Sequence, residues 1–225
     1  MKILLLVPNL NSIGGIQKYN RFLIRALKES GIKIKVVEIG DNLVKKIFFG
    51  FGFLWNILVF RPDQIFCGHV NFLPLALIGK KLGSKVVLFV YGIEVWNLSH
   101  NQKEKIGKVD KVVSISEFTS KKLIQQGIVE EKIFLLSPCV DGEFFKPRSV
   151  LDLNNKIILT VGRLEASEGY KGYELIMKAV AALREEFPDL EYRIIGDGND
   201  RERLEREAIN LKIKDQVKFL GKIRE

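Results

Sequence analysis

Apolar runs of four to six residues alternate along the chain with longer segments in which apolar residues recur every three or four positions. Short runs rich in Val, Ile and Leu predict buried strands, and the periodic segments predict helices. Their alternation is typical of a parallel sheet covered by helices on both faces. The first part contains six predicted strands: Ile3 to Val7, Ile34 to Ile39, Gln64 to Cys67, Lys85 to Val90, Lys111 to Ile115 and Ile133 to Leu136. Six strands suffice for one complete doubly wound domain.

Helical periodicity links these strands. The first helix is indicated by apolar residues from Ile16 to Leu27, and it is expected to stop at Gly31, a natural C-terminal cap. Three further helices are predicted at Leu43 to Val59, Leu73 to Leu82 and Glu117 to Gln126. Ser116 is suited to cap the last of these, and Gly127 follows its end.

A polar stretch from 141 to 155 contains Pro147 and lacks apolar periodicity, which predicts a linker. We therefore expect a first domain at residues 1–150 and a second at 151–225. The second begins a new α/β unit, with strands at Ile157 to Val161, Tyr192 to Ile195 and Val217 to Leu220 and helices at Tyr173 to Glu186 and Arg201 to Leu211. Three strands and two helices are half of a doubly wound domain, so we expect the second domain to be incomplete.

Composition agrees with a folded α/β protein, because 47% of the 225 residues are hydrophobic and 28% are charged. The net charge is +9, and the excess lies in residues 1–150, with 22 basic and 12 acidic side chains against 14 and 15 in the remainder. Such charge favours anionic partners. Two cysteines and an N-terminal apolar run too short for a signal peptide favour a reducing, cytoplasmic location.

Two glycine-rich turns could approach a phosphate. Gly14 and Gly15 open the first helix, where free N–H groups and the helix dipole favour anions, although a simple tight turn explains them equally well. Gly196 and Gly198 follow a strand, but Arg201 stands where the dinucleotide-binding fingerprint requires glycine. The sequence contains no phosphate-loop, zinc-peptidase or C-x-x-C motif and no D-x-D triplet, so an acidic clamp for a metal is not evident.

The segment from Val161 to Gly172 carries the most specific pattern. Arg163 follows a predicted strand and Lys171 precedes the next helix, at the sheet edge where open parallel sheets bind ligands. A guanidinium and an ammonium there suit a diphosphate and the charge that grows on it as a leaving group. Two solvated cations are the alternative, and Glu165 and Glu168 would oppose an anion unless they point away.

These motifs in order resemble the retaining GT-B glycosyltransferases of family 4. The similarity is carried by V-G-R-L followed by Lys171-Gly, by F-P-D-L-E-Y-R-I-I-G-D-G and by V-K-F-L-G in the second part. In the first part it is carried by Gly14-Gly15, Y-G-I-E-V-W, S-I-S-E-F-T and P-C-V-D. It covers essentially the whole chain. The implied fold is α/β of the GT-B type, a Rossmann-like first domain followed by an incomplete Rossmann-like second domain.

The resemblance implies transfer of a sugar from a nucleotide-sugar donor to a glycan or lipid-linked acceptor, in a cleft between the domains and without a metal cofactor. The function expected on this basis is surface polysaccharide biosynthesis. The residues that it implicates are Arg163, Lys171, Gly14 and Gly15 at the donor diphosphate, Gly196 and Gly198 near the donor, Tyr91 and Glu94 as catalytic candidates, and Asp141 in the cleft.

Two departures from the family pattern matter. Many members have His where this chain has Tyr91, and a phenol with a pKa near 10 is a poor base at neutral pH. The family's donor-binding E-x7-E segment lies beyond the third strand of the second domain, and no such pair occurs in these 225 residues. We therefore expect little turnover from them alone. A non-catalytic subunit, or a partner chain that completes the donor domain, is the alternative.

Residues Ile47 to Phe60 are apolar apart from Asn56 and the glycines, and basic residues flank them. The favoured interpretation is a buried helix of the first domain, because the polar face of a surface helix is missing. The alternative is an interfacial helix beside basic side chains, which would attach the protein to the inner face of an anionic membrane. Nucleic-acid binding would explain the charge, but no helix-turn-helix, zinc spacing or paired aromatic strands support it.

Overall fold

The computed structural model describes residues 1–12, 14–40, 43–140, 142 and 156–223, without the side chains of residues 43–47. The chain divides into two compact units, residues 1–142 and 143–225. The boundary predicted at residue 150 falls outside the described residues and stays a prediction.

The described residues of the first unit form a six-stranded, wholly parallel sheet with five α-helices. Its elements are β1 (Lys2–Val7), α1 (Gly15–Glu29), β2 (Lys33–Glu38), α2 (Leu43–Val59), β3 (Gln64–Cys67), α3 (Leu73–Lys81), β4 (Lys85–Val90), α4 (His100–Gly107), β5 (Lys111–Ser114), α5 (Glu117–Gln125) and β6 (Ile133–Leu135). The strand order is β2-β1-β3-β4-β5-β6. The chain adds β2 on one side of β1 and then β3 and the later strands on the other side, as in a doubly wound fold. All six predicted strands are confirmed.

The apolar runs form the centre of this sheet. β1 is buried from Ile3 to Val7, and β4 is buried from Val86 to Val90, because both of their faces are covered. On one face, Leu4, Leu6 and Ile65 belong to a large cluster that includes side chains of α2 and α3. On the other, Ile3, Leu5 and Val7 pack against Leu23 and other residues of α1. Because the strands are parallel, their carboxyl ends lie at one edge of the sheet.

Helix α4 is an element that apolar periodicity does not predict. Ile106 is its only buried residue, so the segment carries almost no apolar signal. It begins with a capping box, in which Ser99 accepts the backbone N–H of Gln102 and the Gln102 side chain accepts that of Ser99. The S-x-x-Q spacing is the local signal from which the helix could have been predicted.

Helix α2 forms where it is predicted, but the interpretation as a buried helix is wrong for its outer side. Phe49, Phe53 and Ile57 are buried against the sheet and α3. Phe51 and Trp55 on the opposite side are 66% and 68% exposed. The helix is therefore covered on one face only, although its sequence is apolar on both.

In the part of the second unit that the structure describes, three parallel strands form a sheet with two α-helices. Its elements are β7 (Ile157–Val161), α6 (Tyr173–Leu183), β8 (Glu191–Ile195), α7 (Arg201–Asn210) and β9 (Val217–Gly221), with strand order β7-β8-β9. These match the predicted elements within a few residues. Met177, Val180 and Leu204 of the helices pack on Tyr192 and Ile194 of the central strand. Residues of β7 on the other face of the sheet are exposed, among them Leu159 and Val161.

Candidate functional site

Backbone hydrogen bonds fix the loop that carries Arg163 at the carboxyl edge of β7 and β8. The N–H of Gly162 donates to the carbonyl of Ile195 over 2.9 Å, and that of Leu164 donates to the carbonyl of Asp197 over 3.1 Å. These two bonds lie on either side of Arg163, so the backbone of the loop is held while the guanidinium projects outward. The Arg163 side chain is 68% exposed.

The two predicted cations meet at a single carboxylate. Glu168 lies between them, with Oε1 paired to the Arg163 guanidinium and Oε2 2.6 Å from Lys171 Nζ. Sequence reasoning required Glu168 to point away from an anion site, and that condition is not met. The carboxylate instead occupies the position that an anionic ligand of both cations would take.

The electrostatics of this cluster follow from the two ion pairs. The hydrogen bond from Lys171, together with the positive charges of Lys171 and Arg163, lowers the pKa of Glu168 below its ordinary value. Glu168 is therefore ionised at neutral pH, and its charge offsets one of the two cations. An arrangement that stabilises a carboxylate between a guanidinium and an ammonium is equally suited to a phosphate oxygen.

A tyrosine that sequence reasoning did not single out completes the support of this loop. The carbonyl of Arg163 accepts a hydrogen bond from Tyr173 Oη and another from Lys171 Nζ, each at 3.2 Å. The phenol is held at the first residue of α6, which follows Gly172 in the left-handed conformation. Lys171 and Tyr173 thus fix the backbone at Arg163.

Gly196 and Gly198 press against the backbone of the same loop. A Cβ at Gly196 would lie 1.8 Å from the carbonyl oxygen of Gly162, and one at Gly198 would lie 2.2 Å from that of Leu164. No side chain fits at either position. The two glycines are therefore needed for the approach of the β8–α7 turn to the Arg163 loop, and their predicted proximity to a donor remains a prediction.

In the first unit, Gly14 and Gly15 lie where β1 leads into α1. Gly14 precedes the helix and Gly15 is its first residue, with open space where a Cβ would be. Gly15 and Tyr91 line a pocket of about 480 Å³. Apolar side chains of α1, including Phe22 and Leu23, and the segment at Pro138 form much of its wall. The fold thus brings the Gly-Gly turn and the Tyr91 segment to one cavity.

Tyr91 is held by aromatic and amide contacts. Its hydroxyl donates to Asn20 Oδ1 over 3.3 Å, and its ring meets that of Tyr19 edge to face at 5.6 Å between centroids. Burial raises the pKa of Tyr91 far above 10, so the phenol is a hydrogen-bond donor and no base at neutral pH. Asn20, fully buried and bonded also to the carbonyl of Ile16, is a positioning residue that the sequence pattern did not reveal.

Glu94 lies in a short 3-10 helix, Ile93–Val95, directly after Tyr91. Its carboxylate accepts the backbone N–H of Tyr91, which closes the turn at the end of β4. His69, at the end of the adjacent strand β3, is a second residue that sequence reasoning missed. Burial lowers the pKa of His69, against the opposing charge of Glu94, so the imidazole is neutral at pH 7. Carboxylate, imidazole and phenol thus follow two neighbouring strands.

Two residues named in the sequence analysis remain, Asp141 and Ser116. Asp141, expected in a cleft, lies outside the described residues. Ser116 caps α5, since its hydroxyl accepts the backbone N–H of Thr119 over 3.2 Å, as expected.

Comparison with known proteins shows which families and structures the chain is similar to. Residues 141–225 match the family described as "Glycosyl transferases group 1". An uncharacterised glycosyltransferase of Haemophilus influenzae is 26% identical over 251 residues, which cover 97% of this chain and 68% of the relative. A glycosyltransferase structure from Rickettsia africae superposes with a TM-score of 0.78 at 20% identity, over 99% of this chain and 68% of the other. The Anabaena protein HepE, solved with UDP-glucose, superposes with a TM-score of 0.69 at 17% identity, over 100% of this chain and 70% of that one.

The fold is accordingly the GT-B type of α/β architecture, built from Rossmann-like units. The family match over residues 141–225 and the curated glycosyltransferase relative support transferase activity for this chain. The chain spans about two thirds of the length of these relatives.

Proposed function

We propose that the chain binds a nucleotide-sugar donor through its diphosphate, at Arg163 and Lys171, and transfers the sugar with retention of anomeric configuration. The observation that carries this proposal is the convergence of both cations on one carboxylate at the carboxyl edge of β7 and β8. A diphosphate that replaced Glu168 would find a guanidinium and an ammonium already placed. The UDP-glucose complex of HepE, a protein of the same fold, supports a nucleotide diphosphate as the ligand.

The acceptor is proposed to be a glycan or a lipid-linked sugar of surface polysaccharide synthesis. The pocket beside Gly15 and Tyr91 supports an acceptor with an apolar portion, because its wall is built largely from Ile16, Phe22 and Leu23. Tyr91 borders this pocket, but its hydroxyl proton is donated to Asn20 and held by its raised pKa, so the phenol is not suited to abstract a proton from the acceptor. Glu94 is the carboxylate of this region, and a catalytic role for it stays a prediction.

Four finer expectations accompany the proposal. Membership of family 4, independence from metal ions, a partner chain and slow turnover by these 225 residues alone all stay predictions. Each of these four expectations depends on more than the donor-binding step. Binding of the donor diphosphate concerns only groups that the structure describes, so it is the first step to test.

The test is calorimetric titration of the full chain with UDP, GDP and ADP, and with inorganic pyrophosphate as the diphosphate alone. At least one nucleoside diphosphate is expected to bind, and pyrophosphate to compete with it. Arg163→Ala is expected to weaken that binding by about tenfold or more, because a hydrogen bond to a charged group contributes roughly 1.5–3 kcal/mol. Lys171→Ala should weaken it too, with a further loss from the unsupported Arg163 carbonyl.

Arg206→Ala is the matched control, since Arg206 is an exposed arginine on α7 whose guanidinium bonds to the carbonyl of Glu202. It removes the same charge from the same unit without touching the Arg163 loop. Unchanged affinity in Arg163→Ala, or an equal loss in Arg206→Ala, would remove the diphosphate assignment.

A further inference from the structure

The exposed side of α2 is the most unusual surface of the described chain. Phe48, Phe51, Trp55 and Leu58 are each 66–70% exposed, and their spacing of three, four and three residues aligns them along one helix face. We call these four side chains the α2 aromatic face. A surface helix ordinarily presents polar residues there. Large apolar surfaces left open in this way mark interaction sites.

The opposite side of α2 shows that this exposure is a property of the fold. Phe53 is completely buried, and Phe49 packs on Phe72 with 5.1 Å between ring centroids. Gly52 lies against Val37 of β2, where an added Cβ would be 3.5 Å from the valine Cγ1. Because one face of the helix is anchored in the core, the α2 aromatic face is held outward.

The polar groups of the helix do not make the α2 aromatic face more hydrophilic. Asn56 is the only polar side chain between residues 47 and 60, and its Nδ2 donates to the carbonyl of Gly52 over 2.7 Å. The amide is thus directed to the helix backbone and adds little polar character to the surface. In an aqueous environment, the apolar side chains of the α2 aromatic face are exposed to water, which is unfavourable.

Basic residues border this surface, and the acidic residue described beside it is Glu38, which lines a pocket with Phe48 and accepts the backbone N–H of Leu10. Val37 of the edge strand β2 faces α2, and side chains alternate along a strand, so Lys33 and Lys35 share the α2 side of the sheet. Both lysines are exposed, as is Arg61 just beyond the helix. No acidic residue occurs in the sequence from 42 to 62. Apolar side chains beside cations match the boundary of an anionic bilayer, in which aromatic rings lie at headgroup depth.

We propose that the α2 aromatic face docks the first unit onto an anionic membrane surface, with the helix parallel to the bilayer plane. None of the helices in the described part of the chain is long and apolar enough to cross a membrane, so the contact that α2 can make is peripheral. The proposal is independent of the donor site, which lies on the second unit. A symmetric contact with a second copy of the chain would bring Lys33 and Lys35 against the same lysines of the copy, whereas anionic headgroups complement them.

The test is co-sedimentation of the full chain with vesicles of phosphatidylcholine alone and of phosphatidylcholine with phosphatidylglycerol. Binding is expected to the anionic vesicles at low salt and to decline as salt rises. Phe51→Glu and Trp55→Glu should each weaken it by about tenfold or more, because each removes a large apolar side chain from the contact. A combined Lys33→Glu and Lys35→Glu variant should lose the preference for anionic lipid.

Leu175→Glu is the matched control, because Leu175 is 73% exposed on α6 of the second unit. It should bind vesicles as the parent chain does. Trp55 supplies a direct reading, since its emission should shift to shorter wavelength and be quenched by brominated lipid. The parent chain and Trp55→Phe together isolate this signal from that of Trp96.

Three results would overturn the proposal. The first is no binding to anionic vesicles at low salt. The second is binding that Phe51→Glu and Trp55→Glu leave unchanged. The third is reversible dimerisation in analytical ultracentrifugation that Trp55→Glu abolishes, without vesicle binding, because that would assign the α2 aromatic face to a second copy of the chain.

Discussion

At the scale of single residues, the decisive side chain is Glu168. Its carboxylate stands where the proposed diphosphate would bind, so a ligand has to displace it from Arg163 and Lys171. Glu168→Gln removes the competing charge but keeps nearly the same shape. We expect the variant to bind the nucleoside diphosphate several-fold more tightly in calorimetric titration, because both cations are then available to the ligand.

The pH dependence of this competition has a definite sign. The pKa of Glu168 is lowered in the folded chain, so its ion pairs contribute fully above the ordinary carboxyl pKa and are lost only as pH falls through the lower folded value. The advantage of Glu168→Gln should therefore be constant from pH 6 to pH 8. Weaker binding by the variant would contradict competition and would show instead that Glu168 organises the two cations for the ligand.

The sequence identifies the cations of the site more readily than their surroundings. Arg163 and Lys171 are predictable because each sits beside a strand or helix end, and element ends are set by the apolar pattern. The direction of Glu168 is not, since it lies in a six-residue 3-10 segment, Ala166–Lys171, where spacing does not determine side-chain orientation. The buried Asn20 beneath Tyr91 escapes prediction for a related reason, because its partner is 71 residues away.

At the scale of elements, the packing of the β8–α7 turn on the Arg163 loop sets a steric limit. Gly198→Ala would place a Cβ 2.2 Å from the Leu164 carbonyl oxygen, and this oxygen also accepts the backbone N–H of Asp200 over 2.8 Å. The backbone has to shift to relieve the overlap. We expect a loss of roughly 1–3 kcal/mol or more in the free energy of unfolding, measured by denaturant titration.

Gly169→Ala provides the comparison, because Gly169 lies in the 3-10 segment with nothing within 4 Å of the added Cβ. Its unfolding free energy should change by no more than about 0.5 kcal/mol. Equal stability of the two variants would show that the Gly198 turn is free to move away from the Arg163 loop, and the steric argument would then fail.

Strands and helices follow from the sequence where the apolar pattern is strong. β1 and β4 are buried on both faces and are therefore continuous apolar runs. α4 has one buried residue and is recognised only from its capping box. In α2 the apolar pattern is strong but predicts too much burial, because a helix that is apolar on all sides is expected to be buried. Its outer face is exposed in the structure. Composition alone does not distinguish a helix face that packs in the core from an exposed apolar face.

At the scale of the whole molecule, the two units have separate interiors. Among the residues that the structure describes, the clusters on the two faces of the six-stranded sheet contain residues of the first unit alone, and the cluster around Met177 contains residues of the second alone. Charge is divided in the same way, with the basic excess in residues 1–150. Apolar burial is the main stabilising contribution in each unit, so we expect each to respond mainly to changes in its own core.

Met177→Ala tests this expectation. Met177 is fully buried in the second unit, and its truncation should cost roughly 2–5 kcal/mol there. Both tryptophans, Trp55 and Trp96, belong to the first unit, so tryptophan fluorescence reports its unfolding, whereas far-ultraviolet circular dichroism reports both units. In denaturant the variant should show an earlier dichroism change and an unaltered fluorescence midpoint. Ile106→Ala, which truncates a fully buried residue of the first unit, should move the fluorescence midpoint instead. If Met177→Ala shifted both signals together, the chain would unfold as one cooperative unit, and the stability of the Arg163 loop would depend on the first unit as well as on the core of the second.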